Sequence, residues 1–274
     1  MSQSPNHLIT QSAFTPGPLK KLFADRHDVR FWQTEGMQHT YLFWVRATLT
    51  EEVEPPPFTP SPVAQARDEG WGLARRAVYD FLARAWTYPS AETLAAFTAS
   101  EFATAFTEAW TYLADDAAGA EVFAALSRTD LEQLREAYTR LFYDTYLPFI
   151  PPYESVYYNE RQVMGKHAAA VIEFYRRAGL AADGEMPDHI AHECEFVAHL
   201  AGEEITARAT GDDARAAAMR QMQDEFLREH LLPWGVKFCA DLACLAHNEF
   251  YATTARLGTA LFNAEWARIS RMVA

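Results

Sequence analysis

The fold class is decided by a segment that begins a long helical pattern, Met186-Pro187-Asp188-His189-Ile190-Ala191-His192-Glu193-Cys194-Glu195-Phe196. Proline is tolerated at the first position of a helix, and the helix dipole favours an acidic residue in the first turn. We therefore predict that Pro187 starts a helix that continues to about Ala209 and is closed by Gly211. This reasoning explains Asp188 but not His189, which is unfavourable in a first turn when it is charged.

Helical periodicity extends from this segment in both directions. Between residues 63 and 274, apolar residues recur at helical spacing in a series of segments separated by glycine, proline or capping residues. We expect helix boundaries at Pro89, Gly119, Gly179 and Pro233, and a capping box at Thr129-Asp130-Leu131-Glu132. The pattern predicts an all-α bundle of about nine or ten helices with short loops.

The first 62 residues differ in composition. Two stretches rich in aromatic and β-branched residues, 28–33 and 39–49, lie on either side of Gly36 and favour a two-stranded β-ribbon. Five prolines follow within residues 54–62, which is typical of a stiff, extended linker. We therefore divide the chain into an N-terminal extension with a proline-rich linker, residues 1–62, and a helical domain, residues 63–274.

The composition limits the function classes. The 274 residues carry a net charge of −13 and are 49% hydrophobic, which argues against disorder and against binding to nucleic-acid phosphates. Almost all of the excess negative charge lies in residues 63–274, which hold 31 acidic and 19 basic residues. The three cysteines form no C-x-x-C pair, which fits a reducing compartment, and we find no secretory signal and no apolar run of ~20 residues. We expect a cytoplasmic protein without an integral membrane segment.

A second unusual segment precedes the first. It combines Tyr138-Thr139-Arg140-Leu141-Phe142 with the irregular stretch from Pro148 to Tyr158, which contains three tyrosines, Glu154 and Ser155. Tyrosine rings supply contact area and a hydroxyl group, so the segment is suited to form a recognition surface. It is equally suited to be a connector whose aromatic rings cover the core. Composition alone leaves both interpretations open.

The histidines and acids of the first segment also suggest a metal site. His192 and Glu195 are three residues apart, and His189, Glu193 and His199 lie nearby, so several of these side chains can share one helix face. The pattern H-x-x-H-E differs from the H-E-x-x-H and H-x-x-E-H motifs of zinc hydrolases. A metal-dependent hydrolase that uses His189, His192, Glu195 or His199 is therefore the alternative function. Our preferred set of site residues contains no metal ligand and no catalytic residue.

Both segments resemble the motifs of a known family. Residues 187–196 are similar to the Pro-Asp-His-Ile-x-x-Glu-Leu-Glu-Phe signature of the TorD/DmsD/NarJ family of redox-enzyme maturation chaperones, with Cys194 where that family usually has leucine. The segment from Tyr138 to Tyr157 is similar to the second motif of the family and lies at the expected distance before the first. The resemblance covers about residues 70–270 and leaves the N-terminal extension outside.

The resemblance implies an all-helical, TorD-like chaperone rather than an enzyme. Such proteins bind the twin-arginine signal peptide and the apo form of a molybdenum-cofactor oxidoreductase of the dimethyl sulfoxide reductase group, and they assist cofactor insertion before export or assembly. For this chain it implies that Asp188 and His189 take part in signal-peptide binding. It also implies no resident cofactor, weak guanine-nucleotide binding in some members, and a monomeric or homodimeric state.

The chemistry of such a peptide indicates which residues would contact it. Adjacent arginines are best held by carboxylates, for which Glu154, Asp188, Glu193 and Glu195 are candidates, and the apolar part of the peptide needs an aromatic groove. We predict a client-binding set that consists of Tyr153, Glu154, Ser155, Tyr157, Pro187, Asp188, His189, Glu193 and Phe196. Tyr153, Tyr157 and Phe196 are expected to line the groove.

The N-terminal extension and the motif each allow a further interpretation. The extension either closes an edge of the bundle or of a dimer, or it contacts a particular client. Its segment Pro18-Leu19-Lys20-Lys21-Leu22-Phe23 faintly resembles a twin-arginine motif that would occupy the groove of the same chain, although no apolar segment follows it. A purely structural helical scaffold is the third functional hypothesis.

Overall fold

The computed structural model describes residues 29–32, 43–46, 68–114, 116–144, 148–158, 165–181 and 186–273. These residues contain eleven α-helices, one π-helical turn and two short strands. The helices are α1 (Asp68–Ala85), α2 (Ala91–Thr98), α3 (Ser100–Trp110), α4 (Ala118–Leu126), α5 (Leu131–Phe142), α6 (Glu154–Tyr157), α7 (Lys166–Arg177), α8 (Ile190–Ala209), α9 (Asp213–Phe226), α10 (Leu232–Leu245) and α11 (Glu249–Val273). The predicted all-α fold is confirmed, and the short helices α4 and α6 are the ones that the sequence pattern does not show.

The two strands lie in the N-terminal extension. β1 (Val29–Trp32) pairs antiparallel with β2 (Phe43–Arg46), with Val29 opposite Arg46. Both strands fall within the stretches that favour a β-ribbon. The proline-rich linker and the Lys20-Lys21 segment lie outside the described residues. The division of the chain after residue 62 and the role of the extension therefore stay predictions.

Several helix ends lie where the sequence places them. α8 ends at Ala209 and α7 at Arg177, and both helices are followed by a glycine with positive φ, Gly211 at 75° and Gly179 at 78°. The capping box of α5 is shifted by one residue from the predicted position. It is formed by Asp130, which accepts from the backbone of Gln133, and by the Gln133 side chain, which accepts from the backbone of Asp130.

The helices pack around α8, which contacts α1 on one side and α9 on another. α10 packs against α11, and α11 also covers α4. Trp86 at the end of α1 connects the two groups, because its ring contacts Phe238 of α10 and its Nε1 donates to Thr254 Oγ1 of α11 over 3.2 Å. None of the described helices combines the length and apolar content that a membrane-spanning helix requires.

The helix before Pro233 does not stop where the sequence predicts a break. α9 continues through a π-helical turn, Leu227–Leu231, directly into α10, so Pro233 lies in the first turn of α10. A proline has no N–H and its ring opposes the carbonyl group four residues earlier, which a regular α-helix cannot accommodate without a kink or a break. The wider π turn keeps the chain helical and directs His230 into the interior, where the residue is 4% exposed. Turns of this kind often mark functional sites.

Candidate functional site: a buried carboxyl cluster between the two motif segments

Backbone hydrogen bonds join the two motif segments. Tyr153 and His189 form an isolated antiparallel bridge, in which Glu154 N donates to Asp188 O over 2.9 Å and Ile190 N donates to Pro152 O over 2.9 Å. The turn before α8 is held from the other side by Tyr175, whose hydroxyl donates to Pro187 O over 2.8 Å. The segments that the sequence singles out are therefore one structural unit.

Asp188 connects this bridge to α6. Its side chain is fully buried, and Oδ2 accepts a hydrogen bond of 3.0 Å from the backbone N–H of Ser155 in the first turn of α6. A carboxylate is stabilised at this position because the first N–H groups of a helix have no partner within the helix. The other oxygen, Oδ1, has no hydrogen-bond partner among the described residues.

His189 is the N-cap residue of α8. The helix begins at Ile190, so the prediction that Pro187 is the first helical residue is wrong by three positions. His189 Nδ1 accepts a hydrogen bond of 3.1 Å from Ala191 N, which requires a neutral ring. Burial, together with the nearby His192, lowers the pKa of His189 to about 3. The unfavourable charge that makes a first-turn histidine puzzling is therefore absent at neutral pH.

The π turn adds a buried histidine to the site. His230 Nδ1 lies 3.0 Å from Oε2 and 3.2 Å from Oε1 of Glu154, whose side chain is fully enclosed. The pair joins the second motif segment to the π turn that follows α9. His230 also lies between two aromatic rings, with its centroid 5.2 Å from that of Phe174 and 5.2 Å from that of Phe226.

Glu193 completes the cluster from the first turn of α8. Its side chain is fully buried, and Oε2 accepts a hydrogen bond of 3.1 Å from Trp234 Nε1 of α10. The Glu193 carboxyl group also shares a side-chain hydrogen bond with Glu154. Burial and the neighbouring carboxylate of Glu154 raise the pKa of Glu193 well above its usual value, which favours the protonated acid.

The residues predicted to hold the arginines or to line the aromatic groove differ in burial. Glu154, Asp188 and Glu193 are each 0% exposed, and only Glu195 of the four candidate carboxylates lies at the surface. Phe196 is 2% exposed because α8 is covered on several sides. Its ring packs between Tyr175 and Phe226, with centroid distances of 4.8 Å to each.

The tyrosines of the second motif lie farther out. Tyr153 and Tyr157 are half-buried, and the Tyr157 hydroxyl donates to Asp241 Oδ2 over 3.4 Å while its ring lies 5.2 Å from that of Trp234. Tyr158 is 38% exposed and stacks on His167 at a centroid distance of 4.2 Å and an interplanar angle of 11°. The outer part of the site is therefore aromatic.

Sequence reasoning missed two contributors to the site, His230 and Trp234, and it related Tyr175 to the family pattern without giving it a contact. His230 and Trp234 are four residues apart on either side of Pro233. A histidine and a tryptophan beside a proline that interrupts a helix are the sequence feature that could have indicated their part in the site. The contact of Tyr175 could not be predicted from the sequence, because it depends on a hydroxyl group that meets a carbonyl group of a distant turn.

The metal cluster of the alternative hypothesis is not assembled. The described residues contain no group of three or more histidine, cysteine or acidic side chains that could hold a metal ion. His189 uses its Nδ1 as a helix cap, His192 Nδ1 lies 3.0 Å from Met186 O, and Glu193 turns inward to Trp234. Glu195 and His199 point outward.

An all-helical bundle in which these two motif segments are paired has the features of a maturation chaperone of the resembled family. A family model described as nitrate reductase delta subunit matches residues 99–240, which is about half of the chain. The chain therefore belongs to this family, the TorD/DmsD/NarJ family of redox-enzyme maturation chaperones.

Individual proteins are also similar to the chain. The chaperone protein TorD from three strains of Vibrio cholerae serotype O1 is 32% identical over 114 residues, which are 40% of this chain and 50% of the relative. The chain thus matches about half the length of these curated relatives. The crystal structure of a putative redox enzyme maturation protein from Archaeoglobus fulgidus has a TM-score of 0.47 at 25% identity, covering 67% of this chain and 91% of the other.

Proposed function

We propose that this protein is a cytoplasmic, system-specific chaperone that binds the twin-arginine signal peptide and the apo form of a molybdenum-cofactor oxidoreductase of the dimethyl sulfoxide reductase group. In this proposal it assists cofactor insertion before the client is exported or assembled. The observation that carries the proposal is the hydrogen-bonded pairing of Tyr153 and Glu154 with Asp188, His189 and Ile190. In a member of this family, that pairing brings both motif segments to one place.

The predicted site residues divide into two groups by burial. The enclosed residues hold the two segments together: Glu154, Ser155, Pro187, Asp188, His189, Glu193 and Phe196. The half-buried Tyr153 and Tyr157, with the more exposed Tyr158, form the part that can meet a peptide. Tyrosines of this kind give contact area at low entropic cost, and they suit the apolar segment of a leader peptide.

The charge of the chain also supports a cationic partner. The net charge is −13, so a peptide with two adjacent arginines is attracted over a distance that depends on ionic strength. Guanidinium groups bind carboxylates bidentately, which makes arginine more suitable for such a surface than lysine.

Titration calorimetry with synthetic leader peptides tests the proposal. We expect a micromolar dissociation constant, which corresponds to a binding free energy on the order of −8 kcal/mol. We expect binding to weaken as the salt concentration rises from low to physiological. The matched control is the same peptide with both arginines replaced by glutamine. The proposal is rejected if no leader from the molybdoenzymes of the same genome binds and none co-purifies with the protein.

A variant pair separates this function from a structural scaffold. Asp188→Asn keeps an acceptor for Ser155 N–H and removes the charge, whereas Asp213→Asn removes an exposed charge at the start of α9. Weaker peptide binding by Asp188→Asn alone supports a role in binding. Equal binding by both variants favours the scaffold. Guanine-nucleotide binding and the oligomeric state stay predictions from the family resemblance.

A further inference from the structure

Two strongly exposed tyrosines flank one buried ring. Tyr88, just after α1, is 55% exposed, and Tyr143, just after α5, is 57% exposed. Both pack on the buried Tyr138, with ring centroid distances of 5.6 Å for Tyr88 and 5.8 Å for Tyr143. The Tyr138 hydroxyl donates to Trp86 O over 3.3 Å, so the ring beneath the two exposed tyrosines is fixed. We call Tyr88, Tyr138 and Tyr143 the tyrosine patch.

An arginine adds hydrogen-bond donors to the edge of the patch. Arg135 Cζ lies 5.7 Å from the centroid of the Tyr88 ring, and Nε donates to Pro89 O over 3.1 Å. Its side chain is 34% exposed and also pairs with Glu132 at 3.1 Å. The patch therefore presents aromatic ring faces beside N–H and O–H groups. A segment that offers apolar rings and backbone carbonyl groups suits such a surface.

A polyproline II segment has this chemistry. Its backbone makes no internal hydrogen bonds, so its carbonyl groups can accept from a partner, and its conformation is formed before it binds. Proline-rich segments dock in aromatic-lined grooves for these reasons. This chain has five prolines within residues 54–62, which lie outside the described residues. Three glutamates, Glu51, Glu52 and Glu54, precede the prolines, and their charge is complementary to that of Arg135.

The length of chain before α1 matches the distance to the patch. α1 begins at Asp68, and its 18 residues span about 27 Å. Tyr88 follows the last residue of α1 by three positions. A polyproline II chain rises about 3.1 Å per residue, so Pro57, eleven residues before Asp68, can lie about 34 Å from it. A segment that runs back along α1 therefore brings its prolines to Tyr88.

One side of α1 is open along this path. Leu73, Arg76, Asp80 and Arg84 recur every three or four residues, which places them on the same side of the helix. Leu73 is 53% exposed, Arg76 is exposed, and the side chains of Asp80 and Arg84 are 49% and 41% exposed. The next position of this series is Tyr88 itself, so the exposed stripe of α1 leads to the tyrosine patch.

We propose that residues 55–60 dock on the tyrosine patch of the same chain as a polyproline II segment that runs antiparallel to α1, with the preceding glutamates near Arg135. Docking there brings the N-terminal extension to Tyr143, where the chain leaves α5 within the second motif segment. The inference goes beyond the proposed function and does not depend on it. It gives the proline-rich linker the role of an intramolecular ligand rather than a spacer.

Photo-crosslinking of the full chain tests this contact. Trypsin cleaves after Arg46 and Arg67, so the linker is released as one peptide, residues 47–67. In Tyr143→p-benzoylphenylalanine we expect a crosslink to this peptide. Leu180→p-benzoylphenylalanine is the matched control, since Leu180 is exposed after α7, and it should give none. In a mixture of ¹⁵N-labelled and unlabelled protein, each crosslinked product should carry a single isotope.

Nitration with tetranitromethane provides a test that leaves the bundle unchanged. In the variant Pro55→Ser/Pro56→Ser/Pro57→Ser, nitration of Tyr88 and Tyr143 should rise several-fold, because serine lacks the polyproline II preference. The control variant Pro16→Ser/Pro18→Ser, in the same extension, should react like the wild type. Equal nitration in all three proteins, no crosslink from position 143, or crosslinks of mixed isotope, which indicate a second copy, would each overturn the inference. The proposed function would stand in every case.

Discussion

His189 accepts a hydrogen bond from Ala191 N through Nδ1, and an imidazole can do so only while that nitrogen carries no proton. Its folded-state pKa of about 3 lies below the ordinary value of 6.5. The unfolded chain therefore takes up a proton on this residue near pH 6.5, while the folded protein does not. The contribution of His189 to the free energy of unfolding is therefore complete above pH 6.5 and is lost progressively as the pH falls towards 3.

The first residue-scale prediction concerns His189→Asn. Asparagine is a good N-cap residue and does not titrate, so the cap is kept and its acid sensitivity is removed. Between pH 7 and pH 5.5 the wild type should lose about 1 kcal/mol more free energy of unfolding than the variant. Urea denaturation at the two pH values measures this difference, and an equal loss in both proteins would contradict it.

The identity of the motif residues could be predicted from the sequence, but their accessibility could not. Asp188 and Glu193 are acidic residues near the start of a helix, where exposure is the usual expectation. Whether a carboxylate there meets solvent or Ser155 N–H depends on which distant segment packs on it, and the sequence pattern of α8 does not contain that information.

At the scale of helices and strands, Gly119 shows that a glycine in the sequence does not always end a helix. The sequence predicts that it ends a helix, whereas it lies in the first turn of α4 and is buried. A Cβ atom at this position would lie 2.6 Å from the Trp110 side chain at the end of α3. The glycine is required by a close approach of two helices rather than by backbone conformation.

This contact predicts opposite effects for two glycine substitutions. Gly119→Ala should lower the free energy of unfolding by about 1–3 kcal/mol, because the bulky Trp110 ring must move. Gly72→Ala in α1 should raise it by about 0.5–1 kcal/mol, since its Cβ would meet no atom within 4 Å and alanine favours the helix. Thermal unfolding of both variants tests the pair, and similar shifts for both would refute the role assigned to Gly119.

For the molecule as a whole, buried ion pairs connect helices that are distant in sequence. Arg75 of α1 and Glu265 of α11 are both 0% exposed and form an ion pair, and Arg75 Nη1 also donates to Gln223 Oε1 of α9 over 3.0 Å. Burial opposes the charge of Glu265, but Arg75 and Arg268 outweigh this effect and hold its pKa below the usual value. The first and last helices of the bundle are thereby held together.

Removal of one partner of this pair should be costly. Arg75→Met leaves Glu265 with Arg268 and the Tyr79 hydroxyl, and we expect a loss of about 3 kcal/mol in the free energy of unfolding. Arg84→Met, on the same helix, breaks a partly exposed pair with Asp80 and should cost less than about 1 kcal/mol. Urea denaturation distinguishes the two. Equal small losses would show that the buried pair contributes little.

The spacing of apolar residues and the positions of glycines predict the all-α class and the ends of α7 and α8, because these features depend on residues that are close in sequence. The uninterrupted passage from α9 into α10 was not predictable in this way. Proline usually breaks a helix, and the π turn that tolerates Pro233 also brings His230 to Glu154, a partner 76 residues away. Contacts of this kind, between residues far apart in sequence, determine the geometry of the site, and local sequence patterns do not predict them.

The bridge between Tyr153 and His189 also has a topological consequence. It closes the intervening chain into a ring that contains α6 and α7, with both ends fixed. Closure entropy grows only slowly with ring size, so doubling the length of such a loop costs about 0.6 kcal/mol. Insertions between α6 and α7 therefore cost little free energy. We expect this connection to tolerate changes in length without a change in the helical bundle.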